Sequence, residues 1–243
     1  MKKIVFVLLF ATMLMANDDF FDEFDSEFEA KKVEVFDPLS GYNRAMTTFN
    51  DYFYKDVLIP VTKGYAYVVP EVAREGINNF FTNLFFPVRF INNILQLKFA
   101  NATVELGRFF VNTTWGVLGF RDVATNEMGM KIYREDFGQT LGFYGVGGGI
   151  HVVIPLLGPS NLRDIVGLGV DALASPMSQM GHNTLPYKLP QDSYQEAGID
   201  ALYMINKNSF QPDMYEVFTK DAIDLYPFLR DTYTQKREKE ISE

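Results

Sequence analysis

Gly76-Ile77-Asn78-Asn79-Phe80-Phe81-Thr82-Asn83-Leu84-Phe85-Phe86-Pro87-Val88-Arg89-Phe90-Ile91 is the stretch on which the fold class turns. On through Ile94, Leu95 and Leu97 it stays apolar, and Arg89 is its only charge. Pro87 divides it into two short helices, because a proline ring and its missing N–H disrupt a helix interior. Working outward, the same texture recurs. Leu39, Tyr42, Met46, Phe49 and Phe53 keep helical spacing after Asp37-Pro38, an N-cap and first-turn pair. Pro60 and Pro70 begin further helices, and another runs over about 101–114. Ser160 is placed to cap a helix through Ala172. Two more amphipathic helices are expected over about 193–208 and 213–233, with a frayed charged tail at 234–243. His151–Leu157 reads as a short strand or an extended apolar segment, which its length does not decide.

The composition narrows the function classes. The 243 residues include 23 Phe and no Cys, which excludes disulfides, thiolate metal sites and a cysteine nucleophile. Formal charge is −9. That argues against nucleic acid and against electrostatic attraction to anionic lipid. Residues 1–16 read as an export signal: Lys2 and Lys3, an apolar run, then the small Ala16. That run falls short of the roughly 20 residues a spanning helix needs. Residues 17–35 form an acidic leader with Phe20, Phe24 and Phe28 four apart, read either as solvated chain or as an amphipathic docking helix. Residues 36–233 are then one helical domain.

Phe137–Leu162 contains no Asp, Glu, Lys or Arg, yet its glycines and prolines keep it from being a transmembrane helix. Short, broken, Phe-rich helices fit either the centre of a soluble all-α domain or a bilayer interface where they lie flat. Chemistry is harder to find. His151 and His182 sit in no metal or general-base pattern. Gly158-Pro159-Ser160-Asn161-Leu162 lacks the second glycine of a nucleophile elbow. Gly167-Leu168-Gly169-Val170-Asp171-Ala172 lies within an expected helix rather than after a strand, which discounts a dinucleotide site. Polar residues set among apolar ones remain: Asn43, Arg44, Arg108, Asn112, Asp122, Arg163 and Asp164. They are either structural pins between short helices or the lining of an amphipathic passage.

Five fragments stand in order along the chain: Asp37-Pro38-Leu39-Ser40-Gly41-Tyr42-Asn43-Arg44; Asn79-Phe80-Phe81-Thr82-Asn83-Leu84 with Pro87; Arg108-Phe109-Phe110-Val111-Asn112-Thr113-Thr114 with Asp122; Glu135-Asp136-Phe137-Gly138-Gln139-Thr140-Leu141; and Leu157-Gly158-Pro159-Ser160-Asn161-Leu162-Arg163-Asp164. Together they resemble the MlaA/VacJ family of Gram-negative envelope proteins over about Phe36 to the low 200s. The resemblance implies a ring-like all-α disc in the inner leaflet of the outer membrane. Such a disc has a central polar passage, a mobile loop (here Gly142, Gly145, Gly147, Gly148 and Gly149) and a membrane belt (here Phe80, Phe81, Phe85, Phe86 and Phe90). It implies no cofactor and no catalysis. It also implies phospholipid cargo, an outer-membrane porin trimer and a soluble periplasmic lipid carrier as partners, with mislocalised phospholipid removed from the outer leaflet. Family members end their signal in a Leu-x-Ala/Gly-Cys box; here Leu14-Met15-Ala16 is followed by Asn17. The expected protein is therefore exported but not lipidated, and held by buried aromatic side chains worth roughly 1.5–3 kcal/mol each. The rival readings are a soluble periplasmic scaffold, which carbonate would release from membranes, and a lipid hydrolase using Ser160.

Overall fold

Pro87 does break the apolar stretch. In the computed structural model, which describes residues 36–181 and 187–243, Glu71–Leu84 (α3) gives way at Phe85 to Phe86–Leu95 (α4). Before them come Ser40–Tyr52 (α1), a π-helical turn at Phe53–Leu58, and Ile59–Val68 (α2). Phe99–Thr114 (α5), the single turn Val123–Asn126 (α6) and Phe137–Phe143 (α7) follow. His151–Ile154 (β1) and Gly158–Asn161 (β2) pair antiparallel, with His151 opposite Asn161. Leu162–Ala174 (α8), Ser193–Asn208 (α9), Met214–Thr219 (α10) and Leu225–Ser242 (α11) complete the order. The fold is thus mainly helical, with one small hairpin, and Pro38–Glu243 forms a single compact unit. The expected signal and leader, and His182, lie outside the described residues.

Several boundaries differ from the sequence expectation, each for a local reason. α1 opens at Ser40 with Leu39 as its uncapped N-cap residue, so Asp37 is not its cap. Pro60 does sit in the first turn of α2, as expected, but the chain enters that helix from a wide helical turn just before it, where the missing proline donor falls. Ser160 is taken up by β2, paired with Val152, and Asn161 caps α8 instead, accepting from Asp164 N at 2.8 Å. The expected 213–233 helix is broken at 220–224, where Asp224 caps α11 by accepting from Tyr226 N. The charged tail is not frayed but is the end of α11. Ile241 packs where a Gly142 Cβ would stand, 2.5 Å from its Cδ1.

Burial runs against the ordinary rule for a soluble domain. α1 buries Asn43, Thr47 and Asn50 and exposes Leu39, Tyr42, Phe49 and Tyr52. α4 buries Arg89, Asn92 and Asn93 while Ile91, Ile94 and Leu95 face out. α5 buries Glu105, Arg108 and Asn112 and exposes Phe99 and Phe110. The buried amides act as pins. Asn43 Nδ2 donates to the His151 carbonyl at 3.0 Å and to Tyr226 Oη at 3.1 Å, and its Oδ1 accepts from Val153 N at 2.9 Å. Asn50 does the same two turns on, to Ile154 O and Leu156 N. In this way α1 holds the hairpin through polar contacts, leaving its apolar stripe unused inside. At the α7–α8 contact the backbones nearly touch: a Cβ on Gly167 would sit 2.5 Å from Gly138 N.

Candidate functional site

A cavity of about 660 Å³ opens between the α3–α4 junction, the approach to α7, the hairpin, α8, α9 and α11. Its volume lies in the range of small-molecule sites, roughly 300–1,000 Å³. One part of its wall is apolar, with Phe85, Val88, Ile154, Leu157, Leu168 and Met177. The opposite character comes from an ionic cluster that ties three helices together. Arg237 of α11 forks onto Asp136, with Nη1 and Nη2 each 2.8 Å from a carboxylate oxygen. The same guanidinium reaches Asp164 of α8 at 3.0 and 3.1 Å. Tyr233 Oη and Arg163 also donate to Asp164. Burial alone would raise the Asp164 carboxyl, but the hydrogen bonds from Arg163, Arg237 and Tyr233 hold it down at about 2. Burial and the bond to Asp164 push the Tyr233 phenol above its ordinary range.

Asp171, one helical stretch further along α8, behaves oppositely. Burial pushes it up to about 6, against hydrogen bonds from Phe137 N and Asn92 and with the Asp136 charge adding to the rise. The cavity therefore carries one carboxylate that stays ionised and one that titrates near neutrality.

A second ionic cluster reaches the cavity wall only through Arg89. Arg89 Nε meets Glu105 at 2.7 Å, and the other Glu105 oxygen accepts from Tyr133 N at 2.7 Å. Arg108 donates to Thr125 Oγ1 at 2.7 Å and to both Asp122 oxygens at 3.0 and 3.1 Å. Asn112 donates to Asp122 at 2.9 Å and accepts from Ala124 N at 2.9 Å. Burial works to raise Asp122, but Thr125, Asn112 and Arg108 bring it below its usual value. Burial lowers the Arg89 guanidinium, opposed by Glu105.

The residues singled out in the sequence thus divide. Asp164 lines the cavity, with Arg163 bracing it from behind. Arg108, Asn112 and Asp122 come together, but as a packed pin between α5 and α6 rather than as a lining. Asn43 is a pin to the hairpin, and Arg44 is a surface residue paired with Asp224 at 2.8 Å. The reason is shared: with the apolar faces turned outward, polar side chains must hold the inside together. Of the glycine segment, Gly142 belongs to α7, while Gly145 and Gly149 adopt left-handed backbone at φ 84° and 70°. Gly148 is fixed to the start of α8, its carbonyl accepting from Arg163 N. Among the belt candidates, Phe80, Phe86 and Phe90 are half-buried; Phe86 stacks on Phe109 at 4.4 Å and Phe80 on Phe120 at 5.0 Å. Phe85 turns to the cavity. Phe81 is a correction: it is 4% exposed and packs on Tyr203, so it belongs to the core.

Sequence reasoning missed more exposed surface than it found. Trp115, Val117 and Leu118 are each more than 60% exposed. Val117 and Leu118 hold φ of 55° and 58°, a conformation costing on the order of 1 kcal/mol or more each, with their apolar side chains turned outward. The signal was the glycine-flanked apolar run 115–120. Arg237, Tyr233 and Asp171 were missed because the first was assigned to a frayed tail, the second carries no motif, and the third stood only in the discounted dinucleotide-like run.

The MlaA lipoprotein family model matches residues 35–240. The chain belongs to the MlaA lipoprotein family. The match extends beyond the low 200s to which the resemblance was taken, so it takes in α11 with Tyr233 and Arg237. Relatives include an uncharacterized protein of Rickettsia typhi, 29% identical over 86% of this chain and 79% of that protein. The intermembrane phospholipid transport system lipoproteins MlaA of Shigella flexneri and Escherichia coli are each 35% identical, covering 72% of this chain and 76% of theirs. A solved structure described as the structural basis for maintenance of bacterial outer membrane lipid asymmetry superposes with a TM-score of 0.70. It is 31% identical and covers 84% of this chain and 98% of its own.

Proposed function

We propose that this protein is a phospholipid-transfer component of the outer membrane. It takes mislocalised phospholipid from the outer leaflet and passes it towards a soluble periplasmic carrier, keeping the bilayer asymmetric. The observation that carries the reading is inverted burial: Asn, Arg and Glu inside, Tyr, Phe, Leu and Trp outside. In water such a surface is a liability, whereas among acyl chains each exposed side chain gains roughly 1.5–3 kcal/mol. No helix among the described residues is long and apolar enough to cross a membrane, which suits helices lying flat. The cavity then supplies a polar wall for a headgroup beside an apolar one for the tails. We read transfer without chemistry: lipid needs only to be held and released, and Arg237, Tyr233 and Asp164 bind one another. With no cysteine to acylate, retention falls to the apolar surface, on the inner leaflet. We read the glycines of 142–149 as a movable loop, and a porin trimer as the scaffold in the membrane.

The test is a transfer assay. Protein reconstituted in vesicles with a labelled phospholipid should hand label to acceptor vesicles, and should resist carbonate extraction. Leu168→Trp, which fills the cavity from α8, should slow transfer while leaving the protein in the membrane. Release by carbonate, or transfer unchanged by Leu168→Trp, would refute the reading.

A further inference from the structure

The charged residues of the cavity wall differ in one respect: most are already committed to one another. Glu135 holds Lys98 and Gln96; Asp136, Asp164 and Glu240 share Arg237; Asp171 holds Asn92; Arg89 holds Glu105; Lys236 lies 3.6 Å from Glu240. Three remain without a hydrogen bond or ion pair to their charged groups among the described residues: Arg134, Glu196 and Asp200.

Their placement follows from the fold. Arg134 precedes α7, and its carbonyl accepts from Gln139 Nε2 at 3.4 Å, which fixes where the side chain leaves the wall. Glu196, Asp200 and Tyr203 share one face of α9 at i, i+4 and i+7 spacing, and all three reach the cavity. Tyr203 packs on Phe85 at 5.4 Å, so the acidic face is seated against the α3–α4 junction. Arg89 ties that same junction through Thr82 O at 2.7 Å, and the Arg134 charge acts on Arg89. Beside the apolar Phe85 and Val88, the cavity lining therefore holds an open cation and two open carboxylates. Lys188, which feels the Glu196 charge, donates to the carbonyls of Ala172, Leu173 and Ser175.

We infer that the cavity selects zwitterionic, amine-bearing phospholipid headgroups, with Arg134 receiving the phosphate and Glu196 and Asp200 the ammonium. This rests on the transfer reading and names its substrate class. A guanidinium suits a phosphate oxygen, and a pair of carboxylates favours a cation while repelling an anionic headgroup.

The experiment compares binding of short-chain phosphatidylethanolamine and phosphatidylglycerol, with identical acyl chains, to the detergent-solubilised full chain by calorimetry. The amine lipid should bind about fivefold tighter, the scale expected of two partly exposed charge contacts. In Glu196→Gln/Asp200→Asn the ethanolamine lipid should weaken, the glycerol lipid should tighten, and the ratio should fall to about one. Arg134→Gln should weaken both lipids by a common factor. Equal or reversed preference in the native chain, or a ratio unchanged in the double variant, overturns the inference while leaving transfer standing. Binding of neither lipid overturns both readings together. Soluble glycerophosphoethanolamine binding as tightly as the lipid would assign the site to a free phosphodiester and likewise overturn it.

Discussion

Two ionic clusters hold this protein together, and they differ in what lies beside them. The Arg89–Glu105–Arg108–Asp122 cluster is closed: Glu105 is fully buried, and its two oxygens accept from Arg89 Nε and Tyr133 N. All of it is drawn from residues 89–133, so it forms as a local knot between α4, α5 and α6. The Asp136–Asp164–Arg237–Tyr233 cluster joins residues 101 positions apart and borders a cavity. It leaves Asp171 beside it titrating near neutrality. A closed cluster fixes the fold. An open one fixes the fold and also shapes the electrostatics of whatever enters, and the open Arg134, Glu196 and Asp200 side chains line the same cavity.

That contrast can be broken most forcefully at Arg89. Arg89→Met leaves the Glu105 carboxylate buried without its main partner, which costs on the order of 3–5 kcal/mol. Urea unfolding in mild detergent should show the loss, while Glu105→Gln/Arg89→Met recovers part of it. A loss below about 1 kcal/mol would mean that the cluster is not sealed.

The cavity-side cluster should instead answer to pH. Asp164, depressed to about 2, contributes stability that is present above the unfolded carboxylate pKa of about 4 and lost as pH falls through 2. Asp171, raised to about 6, works with the other sign: its contribution is full below about 4 and lost as pH rises through 6. Each is worth about 1–2 kcal/mol after solvent screening. Asp171→Asn should flatten the decline in unfolding midpoint between about pH 4 and 6, and Asp164→Asn the decline below 4. Profiles that keep their slopes in both variants would remove the distinction between the clusters. The baseline is the exposed Arg44–Asp224 pair, outside both: Arg44→Ala should cost less than about 1 kcal/mol. A larger loss would mean that surface pairs count here as well.

Much of this was legible in the sequence. Helical character, the break at Pro87 and the bounds of α9 followed from spacing and punctuation, which act within a few residues. The five ordered fragments pointed to the family. What failed did so for a common reason. Arg108, Asn112 and Asp122 were correctly grouped, yet a polar residue on an apolar helix is the same pattern whether it faces a passage or a packed neighbour. Phe81 and Phe80 are adjacent in sequence, and only Tyr203, more than a hundred residues away, decides that one is core. Arg237 looked like part of a solvated tail because Asp136 and Asp164 are distant along the chain.

By itself, then, the sequence determined the helical character, the break at Pro87 and the bounds of α9. Only the tertiary structure decided which face of each helix turns inward and which charges remain unspent. Helix periodicity is set by local backbone geometry, but the sidedness of a helix depends on what solvates its two faces, and that is a property of the assembled fold and its surroundings.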